Sequence, residues 1–386
     1  MSIKGTKILY MLVILSFVKF PFFSQIFLRF FKIGVAGVSL LYIIHFKYLN
    51  TKKQYPIIAF CGAILFSSFA SYHLGVQSTY SVLYALMIYE LFVFTDRWIN
   101  LYGAKNYFQI MFFFFLVLCL CNDVFLILNI NFDSYMLGNK FGVAYYHLLL
   151  LMFMAAMIVE KERRYLNLLL GNIILFIFVI FAVLISLLVD TNTGLIGILV
   201  FSLLYFLPNF VRKILANPVV SCIVMYLLSG TILFWDYILS LNIVKNIIVT
   251  VLHRSLSLTG RLGIYRVLYG LFRQRPLTGW GYETNIVQES IYGNAQNGIV
   301  HLAIQYGVIG VICFTFLIFW IMKKNDSSYR TMTIVTATMY SFFVMSTVEI
   351  VFSNIFFIVM AILYAFADKE KKDIKLSLGE KHEFTN

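Results

Sequence analysis

The stretch LNLLLGNIILFIFVIFAVLISLLV, residues 166–189, runs for 24 positions without a charged side chain. At 1.5 Å of rise per residue such a helix reaches about 36 Å, enough to cross a hydrocarbon core of about 30 Å. In a bilayer every backbone N–H and C=O must be satisfied within the protein, so the segment reads as a spanning helix. Outward from it, apolar blocks recur at 8–18, 33–46, 56–72, 80–94, 107–128 and 142–159, then at 194–210, 218–239, 298–322, 330–347 and 349–367. With 61% hydrophobic and 12% charged residues in 386 positions, the composition excludes an ordinary soluble domain, which carries about 25% charge. The expected fold is an all-α polytopic membrane protein with about 12 transmembrane helices and a large, partly helical outer loop between the ninth and tenth. Residues 1–367 are read as one membrane domain, and Asp368–Asn386 as a charged, disordered cytoplasmic tail without apolar periodicity.

Lys4 and Lys7 precede the first apolar block, but no small-residue cleavage site follows, so the first helix is read as retained. With both termini inside, about 20 of the 30 basic residues fall on inner loops and the tail, as the positive-inside rule requires. The long outer loop, roughly 240–297, breaks that rule. It carries Lys245, Arg254, Arg261, Arg266, Arg273 and Arg275 against Glu283 and Glu289. Five arginines to one lysine favour a phosphate ligand, because the guanidinium fork binds phosphate oxygens in pairs. The competing reading is that long loops cross regardless of charge and these arginines touch lipid headgroups.

Thr259 is placed to cap a helix starting at Arg261, with Leu262, Tyr265, Tyr269 and Phe272 on one face and Arg266 and Arg273 on the other. Arg261 then lies in the first turn, where unpaired N–H groups and the helix dipole favour an anion. A plain interfacial amphipathic helix has the same periodicity. Arg275-Pro-Leu-Thr-Gly-Trp-Gly281 follows as a turn enforced by Pro276, Gly279 and Gly281.

Thr259-Gly260-Arg261, then Pro276-Leu277-Thr278-Gly279-Trp280-Gly281, then Asn297 and Gln305-Tyr306-Gly307-Val308-Ile309-Gly310 resemble the pattern of the O-antigen ligase and Wzy-type polysaccharide polymerase superfamily. Weaker echoes are Lys140-Phe141-Gly142 and Asp190-Thr191-Asn192-Thr193-Gly194. The chain departs from that pattern at Gln296, where the family usually has the histidine of a His-Asn pair. Glutamine hydrogen-bonds a sugar hydroxyl or a phosphate oxygen but takes up no proton near neutral pH. His301 and His253 do not match the motif.

The resemblance implies a metal-independent, inverting glycosyltransferase of the bacterial cytoplasmic (inner) membrane. It would join repeat units carried on undecaprenyl pyrophosphate at the outer face, in capsule or O-antigen assembly, without a cofactor. Partners implied are the lipid-linked oligosaccharide and glycan, membrane lipids and a chain-length regulator, with no nucleic acid. Fixed positive charge at the leaving pyrophosphate would do the catalytic work, from Arg261 and Arg266. Arg254, Arg273, Arg275, Gly279, Gly281, Gln296 and Asn297 would bind substrate. Glu283, Glu289 and Glu349 are candidate bases, and Glu349, at the outer end of the last span, joins the catalytic set. An O-antigen ligase differs in its acceptor, and a flippase would show repeats and broken mid-membrane helices. No Gly-rich nucleotide loop and no metal-ligand spacing is found. Glu90, Asp123 and Asp236 are further acids in or near the spans, functional candidates by default. Cys61, Cys119, Cys121, Cys222 and Cys313 fall in apolar spans and read as buried thiols.

Overall fold

The computed structural model describes residues 3–18, 23–46, 48, 51–72, 78–128, 135–160, 165–231, 237, 240–246, 249–250, 260–291, 295–325 and 328–367. Apolar runs become helices in sequence: α1 (Ile3–Phe17), α2 (Gln25–His45), α3 (Thr51–Ala70), α4 (Ser78–Tyr102), α5 (Ala104–Ile127), α6 (Lys140–Glu160), α7 (Tyr165–Leu188) and α8 (Asn192–Tyr205). They continue with α9 (Asn209–Ala216), α10 (Pro218–Gly230), α11 (Gly260–Gln274), α12 (Ile286–Ile291), α13 (Gly298–Asn325), α14 (Tyr329–Met345) and α15 (Asn354–Ala367). Asn242–Asn246 adds one helical turn.

The chain is a multi-pass, all-helical membrane protein over the described residues. Five helices, α2, α5, α6, α7 and α13, are long and apolar enough to cross by themselves, and α8 with α9 makes a sixth if that pair, bent by 120°, is one span. Four more apolar helices are shorter: Lys7–Phe17, Gln54–Ala70, Pro218–Gly230 and Asn354–Ala367. The described part of the ninth apolar block, expected to reach 239, is α10 with Thr231 at its C-cap, whose hydroxyl donates to the Leu228 carbonyl at 2.6 Å; residues 232–236 and 238–239 lie outside the described residues.

Exposure separates lipid-facing helices from central ones. On α7, Leu169, Ile173, Phe176, Ile180, Leu184 and Leu187 form one exposed stripe at intervals of three and four, the mark of a helix with hydrocarbon on one side. By contrast α14 and α15 are buried along nearly their whole length. Cys61 and Cys119 are buried as expected, but Cys121 is exposed, because it lies on the outward face of α5.

Hydrogen bonds show which helix ends share one end of the bundle. Asn354 reaches the Phe17 carbonyl at 3.1 Å, Arg275 the Ala70 carbonyl at 3.3 Å, and Asn297 the carbonyls of Ser229 and Thr347 at 3.2 and 3.4 Å. Lys140 and Asp190 pair at 3.8 Å at that same end, which brings the two weaker sequence echoes into contact. Gly194 has to be small there, since a Cβ would sit 2.2 Å from that of Ala144. Near the opposite end, α9 is held by Arg212, which is buried and donates to Thr333, to Asn209 at 2.9 Å and to Tyr329 at 3.2 Å.

Candidate functional site

The site is built around a break in α13. Gly307 has φ 65° and ψ −170°, a backbone region open essentially to glycine alone, and the helix resumes beyond it. Breaking a membrane helix frees backbone groups that must be satisfied by protein. The turn 275–281 does this, because Pro276 ends α11 and Gly279 and Gly281, at φ 69° and 94°, let the chain double back. Trp280 and Gly281 donate their N–H groups to the carbonyls of Ile304 and Gln305 at 2.8 Å each. In return Val308 and Ile309 donate to the carbonyls of Pro276 and Leu277 at 2.8 and 3.3 Å. Contact is so close that a Cβ on Gly307 would lie 2.2 Å from the Leu277 oxygen, and one on Gly279 2.5 Å from the Gln305 oxygen.

Three buried serines of the α3 end complete the knot. Ser67 donates to the Gln305 carbonyl at 2.6 Å, Ser71 to the Gly279 carbonyl at 3.2 Å, and Ser68 accepts the Tyr282 N–H at 3.0 Å. Arg275 lays its guanidinium against the C-terminal end of α3, donating to the Ala70 carbonyl at 3.3 Å and to the Ser71 hydroxyl at 3.0 Å, where the helix dipole favours a cation. It also covers the ring of Trp280 at 5.4 Å. Tyr282 stacks on Tyr84 at 4.3 Å, and burial pushes its phenol well above the usual range, so it stays protonated. One face each of Trp280 and Tyr282 is thus covered by protein.

Helix α11 is amphipathic, but its buried stripe is Leu268 and Leu271 with Ile264 and Tyr265 beside them, packed against Val287, Ala295, Ile304 and Ile350. This corrects the expected face, since Tyr269 is 63% exposed. The helix has two apolar stripes, and the branched and leucine side chains take the protein side while Tyr269 stays out beside Arg273, whose guanidinium lies 5.8 Å from its ring. Arg266 and Arg273 are exposed and form no ion pair with a described residue. Arg261 is the second residue of α11, and helical register places that position one turn before Tyr265. Arg254, Thr259, Asp236, His253 and the tail from Asp368 lie outside the described residues.

The third part is the corner before α13. Asn297 is fully buried: its Oδ1 caps the helix by accepting the Val300 N–H at 3.0 Å, and its amide binds α10 and the 346–353 turn as above. Gln296 is forced to φ 47°, and its carbonyl accepts the Tyr265 hydroxyl at 3.1 Å. Gly298 donates to the Ser346 carbonyl at 2.8 Å. Glu349 sits two residues beyond Thr347 in the same turn, half-buried. One end of the bundle therefore brings together α11 with Arg266 and position 261, the 296–297 corner and Glu349. Arg275, Gly279 and Gly281 lie instead at the helix break and the end of α3. Glu283 and Glu289 are both exposed.

Sequence reasoning missed one polar pair. Asp123 of α5 and His147 of α6 meet at 3.1 Å with side chains 3% and 1% exposed. His147 Nδ1 donates to the Val143 carbonyl at 2.8 Å, which leaves Nε2 facing the Asp123 carboxyl. Asn122 extends it to the Leu137 N–H at 3.2 Å. The spacing of 24 residues across two spans leaves no local signal for it. Among the described residues no group of three or more His, Cys, Asp or Glu side chains gathers as metal ligands would.

Comparison with curated proteins and with solved structures finds no match. A family model does match, over a segment that holds α8 to α11, the 275–281 turn and the broken part of α13. That model is described as O-antigen ligase and covers residues 177–315, so the chain carries an O-antigen ligase-like membrane segment built around this site.

Proposed function

We propose that the protein is a glycan-transferring enzyme that acts as a polysaccharide repeat-unit polymerase. On this reading it moves a growing glycan from undecaprenyl pyrophosphate onto a lipid-linked repeat unit at the outer face of the cytoplasmic membrane, in capsule or O-antigen assembly, with both termini cytoplasmic. The observation that carries the reading is the O-antigen ligase match over 177–315, which contains the cationic helix and the turn-braced helix break.

The chemistry asked of the residues is a single displacement. The acceptor hydroxyl oxygen bonds to the anomeric carbon, the bond from that carbon to the pyrophosphate oxygen breaks, and its electron pair leaves with the pyrophosphate. Arg261 and Arg266 hold that leaving group, with Arg254 and Arg273 as further phosphate contacts, so that charge develops against fixed guanidinium groups. Glu349 takes the acceptor proton. Gln296 and Asn297 shape the corner beside it. A single displacement inverts the anomeric configuration.

The family description itself favours a second reading in which the acceptor is a different lipid-anchored glycan. One assay separates the two. Purified protein is incubated with lipid-pyrophosphate-linked repeat units alone, and products are resolved on a gel beside the Arg261→Ala variant. A ladder from wild type, lost in the variant, supports polymerisation. Intact substrate with wild-type protein refutes it and moves weight to the ligase reading, and a normal ladder from Arg261→Ala removes the role given to that arginine.

A further inference from the structure

Helices α10 and α13 pack side by side, yet their seam stays open. It holds a groove of about 670 Å³ between Val219, Ile223 and Leu227 of α10 and Ile312, Phe316 and Phe319 of α13. These positions recur at intervals of three and four, so each helix gives the groove one lengthwise stripe. The groove faces out of the bundle, since Ile223, Leu227 and Ile312 are all exposed. Membrane helices normally close such a seam with small side chains. Here the rings of Tyr226, Phe316 and Phe319 stand in it.

None of the described lining residues is charged, and the two hydroxyls among them are satisfied within the protein. Thr315 donates to the Val311 carbonyl at 2.7 Å, which leaves its oxygen to accept the Tyr226 phenol. The groove therefore offers apolar contact and no place for a headgroup. Its position supplies one. Leu227 lies two residues, about 3 Å of helix rise, before Ser229, whose carbonyl accepts the Asn297 amide at 3.2 Å. The neighbouring Gln296 carbonyl accepts the Tyr265 hydroxyl at 3.1 Å, and Arg266 is the next residue of α11. A line of printed contacts thus runs from the end of the groove to the cationic helix.

We propose that this groove holds the isoprenoid chain of the lipid-linked substrate, while Arg261 and Arg266 hold its pyrophosphate. The assignment rests on the glycan-transfer reading above, in which the sugar is carried on such a chain. From Val219 to Leu227 the groove runs about 12 Å at 1.5 Å per residue. It takes the part of the chain nearest the pyrophosphate and leaves the rest to a hydrocarbon core of about 30 Å. A wall of rings and branched side chains suits a chain that carries a methyl branch on every unit, through dispersion contacts. A straight acyl chain is the competing occupant.

The test uses the full-length protein in detergent with undecaprenyl pyrophosphate, with inorganic pyrophosphate as the headgroup without a chain, and with phosphatidic acid bearing straight acyl chains. Binding is read by native mass spectrometry and transfer by the gel ladder. Ile223→Trp and Ile312→Trp fill the groove from its two walls, Phe316→Ala widens it, and Ile173→Trp on the exposed stripe of α7 is the control. All four side chains are at least 36% exposed, so thermal midpoints should hold. Each groove variant should weaken undecaprenyl pyrophosphate about tenfold, the equivalent of about 1.4 kcal/mol, and leave inorganic pyrophosphate and the control unchanged. Phosphatidic acid should compete poorly with undecaprenyl pyrophosphate on wild type. Wild-type affinity in the groove variants, an equal loss with inorganic pyrophosphate, or equal competition by phosphatidic acid overturns the assignment. Should undecaprenyl pyrophosphate bind with this dependence while no ladder forms, the transfer reading fails and the groove stands; a normal ladder with unaltered binding in all three groove variants ends the groove alone.

Discussion

Replacing Gly307 by alanine tests whether the helix break is held by the turn 275–281. A side chain at φ 65° and ψ −170° costs about 1–3 kcal/mol in backbone strain. The new Cβ would also meet the Leu277 oxygen at 2.2 Å and the Thr278 nitrogen at 2.6 Å, both backbone atoms that yield only by moving the turn. That movement strains the four exchanged hydrogen bonds, and losing two of them adds about 2 kcal/mol at about 1 kcal/mol each. The sum is about 3–5 kcal/mol, or a fall in thermal midpoint of about 6–10 °C at about 2 °C per kcal/mol for a long chain. Cys61 and Cys119 are buried and free, so a thiol-reactive dye reports the transition in detergent. Gly263→Ala on α11 is the control, because a Cβ there meets nothing within 4 Å, and its midpoint should hold or rise. A Gly307→Ala midpoint within about 1 °C of wild type would show that the turn does not hold the break, and the reasoning would be wrong; the threshold is well below one kcal/mol on the same scale.

The arginines should divide into structural and functional ones, and paired melting and ladder assays would show it. Arg275→Ala lowers the midpoint because two hydrogen bonds to the end of α3 are lost, whereas Arg266→Ala leaves the midpoint alone and lowers transfer. Asp123→Leu leaves the buried His147 Nε2 without its hydrogen-bond partner and should destabilise by about 1–3 kcal/mol, with Asp123→Leu/His147→Phe recovering much of the loss in the same melts. Asn297→Ala removes the α13 cap and two carbonyl contacts, and amide hydrogen exchange of residues 298–304 should quicken while that of α7 does not change.

The helices were legible because each spanning segment carries its own signal in length and apolarity. Pro276, Gly279 and Gly281 likewise announced a turn, since each restricts or frees its own φ. The partner of that turn was not legible: the run Gln305–Gly310 reads as continuous helix until the break at Gly307 is seen with Leu277 packed into it. Arg275 and Arg266 look alike in sequence and differ only in that one touches α3. On α11 two stripes competed: the sequence pattern favoured Leu262, Tyr265, Tyr269 and Phe272, while packing selected Ile264, Leu268 and Leu271 and kept only Tyr265 of that pattern beside them. Asp123 with His147, and Lys140 with Asp190, depend on how distant helices meet, which no local periodicity encodes.

The three serines at the end of α3 also bear on how the chain is made. Ser67, Ser68 and Ser71 bond to partners 238, 214 and 208 positions further along, so α3 enters the membrane long before the ribosome has produced what it will hold. Closing so large a loop is slow relative to forming any single helix. A nascent chain stopped before α13 would carry a polar notch with nothing in it, and would present that notch to whatever insertase or quality-control protein surveys half-built bundles. Locking of the turn against α3 is then a late step of assembly, taken only once the C-terminal helices have arrived.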